Sequence, residues 1–220
     1  MRFQAVAFDL DGTLYPDIQL FSRLIPFILK EFRLLKAMDK ARKQLRNQGG
    51  YGPDFYDTQA GLMARILGEP AETVRERTEL LIYRGWEPFF KKIRLFPHVM
   101  ETLDNLKKIG IKMGLLSDFP PEVKLKNLGI DKYWDVIVCS EESGSLKPDI
   151  KPFRELAGKM SFPPEEILYV GNSFLYDVKG AYSAGMKTAL RQRRWKKRPS
   201  QPVPDFVFND YRQLLKYVLG

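Results

Sequence analysis

Short apolar runs punctuate the chain. Phe3–Phe8 ends abruptly in Asp9-Leu10-Asp11-Gly12, and Ile111–Leu116, Asp135–Cys139, Ile167–Val170 and Lys187–Leu190 repeat the pattern of an apolar run followed by polar residues or glycine. Between them the period changes. Val99, Leu103, Leu106 and Ile109 fall on one helical face, and Pro121–Leu128, Pro152–Lys159 and Leu175–Ala184 read likewise. No two-residue hairpin turn joins the apolar runs, so they predict parallel strands that are covered on both faces and linked by helices. Phe206–Phe208 reads as a last short strand and Tyr211–Leu219 as a closing helix.

Residues 17–95 break this alternation. Ile18–Leu35, Met38–Arg46, Asp54–Leu67 and Ala71–Tyr83 have helical period, punctuated by Gly49-Gly50-Tyr51-Gly52-Pro53 and Gly68-Glu69-Pro70. A purely helical block after the first strand predicts an inserted domain at 17–95. Residues 1–16 and 96–220 then form a Rossmann-like α/β core, a parallel sheet with helices on both faces. Arg191–Pro204, rich in Arg, Lys and Pro, reads as a surface loop.

Composition narrows the class. Hydrophobic residues at 44% and aromatics at 13% exclude disorder as the main state. No run of 18 uncharged apolar residues exists, so no membrane-spanning helix is expected. The single Cys139 excludes a disulfide framework within the chain. Together with the absence of a secretory pattern at Met1-Arg2-Phe3-Gln4, it predicts a cytoplasmic protein.

Charge is unevenly distributed. Of the net +9, residues 191–198 carry +6 and residues 30–46 carry +5, leaving −2 for the remainder. Such patches point to local anion contacts, not to general coating by nucleic acid. Trp195 inside Arg191–Arg198 raises nucleic-acid or acidic-partner binding by charge and stacking as the alternative to a solvated loop. Leu20–Leu35 is apolar and basic residues follow it, as in a membrane-surface helix. Arg23, Lys30 and Glu31 interrupt it, however, and a helix burying one face in the inserted domain is the preferred reading. Nothing in the pattern fixes an oligomeric state.

In an open parallel sheet, ligands gather at the carboxyl ends of the strands. Those ends carry Asp9 and Asp11, then Ser117-Asp118, then Gly171-Asn172-Ser173 with Asp177 beyond, while Lys147 stands where a helix begins. Acids so gathered repel one another unless a cation sits among them, and hard oxygen ligands favour Mg²⁺. Ser117 and Lys147 suit an anionic oxygen. Acids, Mg²⁺ and an anion cradle together predict phosphoryl transfer.

Asp9-Leu10-Asp11-Gly12-Thr13-Leu14-Tyr15 resembles the first motif of the haloacid dehalogenase superfamily of phosphohydrolases. Leu115-Leu116-Ser117-Asp118 resembles its second motif and Leu146-Lys147-Pro148-Asp149 its third. Val170-Gly171-Asn172-Ser173 through Asp177-Val178-Lys179-Gly180-Ala181 resembles its fourth. The block at 17–95 is similar to the helical cap that many members insert after the first motif. The resemblance implies an Mg²⁺-dependent phosphatase acting on a small phosphorylated metabolite, such as a sugar phosphate, a phosphoglycolate-like acid or a nucleotide. Asp9 would be the nucleophile that forms an aspartyl-phosphate, and Asp11 the general acid and base. Gly12, Thr13, Ser117, Asp118 and Lys147 would surround the phosphoryl group. Asp9, Asn172, Asp177 and the backbone carbonyl of Asp11 would hold Mg²⁺.

Asp11 also favours a phosphatase over the family's metal-free dehalogenases, which keep no acid there. Two positions depart from the pattern: Asn172 stands where the fourth motif usually has an acid, and Asp118 where the second often has Asn. Either Asp118 supplies the missing charge through water or, the preferred reading, it points away and Asn172 is tolerated. A phosphomutase of the same family and a catalytically weak binding protein are the alternative functions.

The remaining candidates have simpler readings. His98 is expected at a helix start and Cys139 as a small buried hydrophobe. Tyr83, Trp86, Phe89 and Phe90 are expected mainly to pack helices, with the floor of a substrate pocket as their alternative role.

Overall fold

A computed structural model describes residues 2–51, 54–192 and 201–220. Six strands, β1 (Ala5–Phe8), β2 (Lys112–Ser117), β3 (Val136–Cys139), β4 (Ile167–Gly171), β5 (Lys187–Arg191) and β6 (Phe206–Phe208), form one sheet in the order β3-β2-β1-β4-β5-β6. Every neighbouring pair is parallel. Each predicted strand exists, displaced at its ends by no more than two residues. Because β1 lies between β2 and β4, the chain reverses its direction of travel across the sheet at β1, and the crevice for a ligand opens there.

Alternation along each strand builds two core layers. Val6, Phe8, Met113, Leu115, Leu168 and Val170 point to one face, where α6 (Val99–Lys108) and α10 (Tyr211–Leu219) cover them with Leu103, Leu106, Leu214 and Val218. Ala5, Ala7, Leu116, Val138 and Tyr169 point to the other, under Phe153, Leu156 and Met160 of α8 (Ile150–Met160) and Ala181 of α9 (Lys179–Ser183). Full burial of one large aliphatic side chain contributes about 1.5–3 kcal/mol. The short α7 (Glu122–Leu128) follows β2.

Between β1 and α6 the described chain is helical: α1 (Asp17–Lys30), α2 (Phe32–Gln48), α3 (Phe55–Leu67), α4 (Ala71–Thr78) and α5 (Glu87–Phe90). The single helix expected over Ile18–Leu35 is in fact two, and Met38–Arg46 is the middle of the second. The break falls at Glu31, whose backbone lies at φ −107° and ψ 25° and whose N–H still donates to Phe27 O at 2.8 Å. No Gly or Pro marks it. Leu20 and Leu24 of α1 are buried in the sheet-side core, so the segment does bury one face, while Leu34, Ala37, Met38, Ala41, Met63 and Val74 form a separate cluster within the insert. Helical period also conceals two π-helical turns: Glu79–Tyr83 continues α4, and Phe174–Val178 precedes α9.

Arg191 corrects the expected loop. It is the last residue of β5, pairs with Phe208, and lays its guanidinium 3.2 Å from the ring centroid of Phe96. The rest of the basic cluster falls on residues 193–200, outside the described residues. Among those described, no helix is long and apolar enough to cross a membrane.

Candidate active site

The chain leaves β1 in a tight turn whose backbone is tied at several points. Asp9 N–H donates to Val170 O at 2.9 Å, Leu14 N–H to Leu10 O at 3.0 Å, and the Tyr211 hydroxyl to Thr13 O at 2.6 Å. Gly12 takes φ +78°, and a Cβ there would lie 2.1 Å from Asn172 Nδ2 and 2.5 Å from Asp17 Oδ2. Only glycine lets the turn close against β4's exit loop. Thr13 Oγ1 donates to Asp9 Oδ2 at 2.6 Å and lies 3.3 Å from Asn172 Oδ1, so the first and fourth motifs meet here.

Lys147 is the hub. Its Nζ is buried and donates to Asp9 Oδ1 at 2.6 Å and to Asp177 Oδ1 at 2.8 Å, with the Tyr169 hydroxyl 3.5 Å away. The other oxygen of Asp177 accepts from the backbone N–H groups of Asn172, at 3.1 Å, and Ser173, at 2.8 Å. The π-helical turn makes that placement possible. Both Asp177 N–H and Val178 N–H converge on Ser173 O, at 2.9 and 3.1 Å, which widens the turn and swings Asp177 back over the strand end. A Cβ on Gly171 would stand 2.3 Å from Asp177 Cβ, so glycine is needed there too.

Burial dominates the electrostatics. It pushes the Asp9 carboxyl up to about 7, Asp177 adds to the rise, and Lys147 opposes it. Burial pulls the Lys147 ammonium down, but Asp177 and Asp9 outweigh it and hold it well above its ordinary value. Two buried carboxylates thus share one cation, an arrangement with room for more positive charge. Among the described residues no three His, Cys, Asp or Glu side chains converge as a metal cluster. A metal here would therefore be held by two carboxylates completed by neutral oxygens, a hard donor set that fits Mg²⁺.

Ser117 ends β2, buried, with its Oγ accepting from Phe119 N–H at 3.2 Å. Asp118, next in sequence, turns its carboxylate toward α2. Its Oδ2 accepts from Arg46 at 2.7 Å, and its Oδ1 accepts from Ser140 Oγ at 2.6 Å and Lys147 N–H at 3.4 Å. Burial acts to raise Asp118, yet Lys147, Arg42 and Arg46 hold it at about 2. Arg46 also donates to Lys147 O at 2.9 Å. One turn earlier on α2, Arg42 is buried in an ion pair with Glu141 and lies 4.1 Å from the Phe119 centroid, while the Tyr83 hydroxyl donates to the same Glu141 oxygen at 3.0 Å. None of Arg42, Arg46 and Glu141 sits in a recognisable motif, so spacing alone does not reveal them.

Asp11 faces the opposite way, toward the inserted helices. Lys124 of α7 donates to both its oxygens, at 2.9 and 2.7 Å, and the Tyr15 hydroxyl donates to one of them. Lys124 Nζ sits 5.3 Å from the Phe90 centroid and 5.2 Å from that of Phe119, an anchored cation beside the second acid that sequence reasoning missed. Asp17, at the start of α1, is raised to about 6 by burial and by Asp11, against Lys124 and Arg191. From Asp11 a cavity of about 660 Å³ opens between the insert and the sheet, and Tyr83, Trp86 and Phe90 line it. Phe90 is at the same time a buried member of the sheet-side core, and Trp86 and Phe89 pack against it. His98 is at a helix start as expected, at φ 65° ahead of α6, with Nδ1 3.0 Å from Glu101. Cys139 is buried, and burial pushes its thiol well up.

A buried Asp-Lys-Asp set thus lies at the carboxyl edge of a parallel α/β sheet, with a second Asp two residues after the first. The family model described as haloacid dehalogenase-like hydrolase matches residues 3–185, and the chain belongs to that family. It is 31% identical to the glyceraldehyde 3-phosphate phosphatase of Methanopyrus kandleri, over 98% of this chain and 97% of the relative. It is 29% identical to a phosphoglycolate phosphatase of Haemophilus influenzae, over 97% of each chain. In fold it is similar to the crystal structure of a phosphatase of the same family from Thermococcus onnurineus, with a TM-score of 0.67 at 24% identity over 98% of this chain and 97% of that one.

Proposed function

We propose that this enzyme hydrolyses a small phosphate monoester by way of an aspartyl-phosphate on Asp9, with Mg²⁺ as its cofactor and the cytoplasm as its setting. The observation that carries the reading is Lys147 Nζ held 2.6 Å from Asp9 and 2.8 Å from Asp177 in a buried pocket that Thr13 closes from the other side. The full-length relatives named as phosphatases support it.

Asp9 attacks phosphorus in line with the departing alkoxide. Thr13 and Lys147 each hold one of its oxygens, which fixes the carboxylate plane for that approach. The Lys147 ammonium, kept charged by two acids, neutralises the equatorial oxygens as negative charge gathers on them. Ser117 adds a hydroxyl at the neighbouring strand end, and Gly12 lets the phosphoryl group approach the turn closely. Asp11, on the leaving-group side, enters the first step protonated and gives that proton to the departing oxygen. The carboxylate left behind, held by Lys124, then takes a proton from the water that cleaves the acyl phosphate and is reset. Mg²⁺, held by Asp9, Asp177, Asn172 and the Asp11 carbonyl, would offset the charge of the incoming phosphate. Asn172 contributes a neutral oxygen to that set. Asp118 serves as an anchor for Arg46 and lies outside it.

The test is phosphate release from a panel of phosphorylated metabolites by wild type and Asp9→Asn, each with Mg²⁺ and with EDTA. Metal-dependent release that Asp9→Asn reduces to background is the expected result. Release that survives in Asp9→Asn would remove Asp9 as the nucleophile.

A further inference from the structure

We propose that the alcohol released by this enzyme is aromatic and carries no negative charge of its own; the inference rests on the phosphatase reading above and names its leaving group. The site for that group is the cavity on the Asp11 side of the catalytic turn. Its volume of about 660 Å³ belongs to the range, roughly 300–1,000 Å³, that encloses ligands of drug size. A two- or three-carbon fragment would leave most of it to water.

The walls are aromatic in a continuous run. Tyr56, Tyr83 and Phe119 follow one another with centroid separations of 5.3 and 6.1 Å, leading from α3 across to the loop after β2. Phe21, Trp86 and Phe90 line other parts of the cavity. Rings so disposed present faces and edges for a second ring to stack against, with an added contribution beyond simple burial. Polar groups such as Gln59 and Thr78 also line the cavity, but a polyhydroxylated or carboxylated fragment would leave the ring faces without an apolar partner.

Charge points the same way. Five acids line the cavity, Asp11, Asp17, Glu79, Glu87 and Glu122, against the three bases Arg75, Arg84 and Lys124. Each of those bases is already engaged: Arg75 with Asp57, Arg84 with Glu79 at 2.8 Å, and Lys124 with Asp11 at 2.7 Å. A carboxylate on the leaving group would share these already paired cations with their acids in a pocket of net negative charge. An uncharged ring meets no such cost.

The test compares kcat/KM, with Mg²⁺ present, for phosphate esters of unactivated primary alcohols: propyl, benzyl and 2-naphthylmethyl phosphate, phosphoglycolate, and 4-carboxybenzyl phosphate as the charged twin of the benzyl ester. Naphthylmethyl phosphate is expected to exceed propyl phosphate at least about tenfold, or ~1.4 kcal/mol. Benzyl is expected to exceed 4-carboxybenzyl by a similar factor. Phe21→Ala, at a side chain 49% exposed on α1 whose truncation leaves the core intact, is expected to cut the naphthylmethyl-to-propyl ratio about threefold or more. Propyl phosphate or phosphoglycolate turned over as well as the aromatic esters, or 4-carboxybenzyl as well as benzyl, overturns the inference while the phosphatase reading stands. Phosphate released from none of the five by enzyme that turns over a member of the metabolite panel overturns the inference alone; release from neither set overturns both.

Discussion

Replacing Arg42 by Met removes the cation from the seam between the inserted helices and the sheet. In the wild type, Arg42 and Glu141 are an ion pair with side chains 6% and 0% exposed. Burial raises the Glu141 carboxyl, and Arg42 and the Tyr83 hydroxyl hold it down. Without the guanidinium, Glu141 keeps one hydrogen bond and loses its counter-charge, and breaking a buried pair on one side costs about 3–5 kcal/mol. In a chain of this size 1 kcal/mol shifts Tm by about 2–4 °C, so Arg42→Met is expected to melt roughly 10 °C below wild type. The cost depends on pH. A carboxyl whose pKa in the folded state is raised favours the protonated form, so the deficit is smallest below the ordinary 4.5 and grows as pH rises. Thermal and urea unfolding at pH 5 and pH 8, on wild type, Arg42→Met, Glu141→Gln and the double variant, measure it. The double variant is expected to recover most of the loss, because a neutral amide needs no cation. A deficit under about 1 kcal/mol, equal at both pH values, or a double variant as unstable as the sum of the singles, would refute the reasoning.

Two other substitutions read the site more directly. Gly12→Ala is expected to abolish phosphate release and lower Tm. It pays about 1–2 kcal/mol for the left-handed backbone, and its Cβ would stand 2.1 Å from Asn172 Nδ2; activity within a few fold of wild type would contradict that geometry. Asp118, held at about 2 against an ordinary 3.8, contributes stability that is complete above pH 3.8 and lost as pH falls toward 2. Asp118→Asn is thus expected to lose about 2 kcal/mol at pH 7 and to converge on wild type near pH 2 in acid-unfolding curves, and an unchanged acid limb would count against it. Its Mg²⁺ requirement is expected to match the wild type, because Arg46 and Ser140 occupy the carboxylate.

The sheet and the inner site were readable for a common reason. Buried parallel strands are short apolar runs, and the residues that follow such runs, Asp9, Ser117 and Gly171 among them, must lie on one edge. Local pattern carries that information. The break at Glu31 has no such mark, because apolar spacing runs through it, and the π-helical turn at Phe174–Val178 adds its extra residue without changing composition. Lys124, Arg42 and Arg46 look like ordinary basic residues of amphipathic helices. Their partners Asp11, Glu141 and Asp118 lie 113, 99 and 72 residues away, so only the folded chain pairs them. The aromatics do both: Phe90 is buried in the core and Trp86 and Phe89 pack against it, while Tyr83, Trp86 and Phe90 also line the cavity.

The hydrogen bond from Phe96 N–H to Leu14 O, 2.9 Å long, fastens the two ends of the helical insert side by side at the rim of the sheet. Whatever chain lies between those ends enters and leaves through the same narrow doorway. Lengthening or rebuilding it leaves β1, and with it Asp9, where it was, and the entropy of closing a longer excursion grows only slowly, by about 0.6 kcal/mol for each doubling. The part of the cavity wall that this segment supplies, Phe21, Tyr56, Tyr83 and Trp86, can therefore change while Asp9 keeps its place, whereas Phe119 and Lys124 stay with the sheet. A transplant of residues 17–95 from a relative, joined at this doorway, would exchange that part of the wall as one unit.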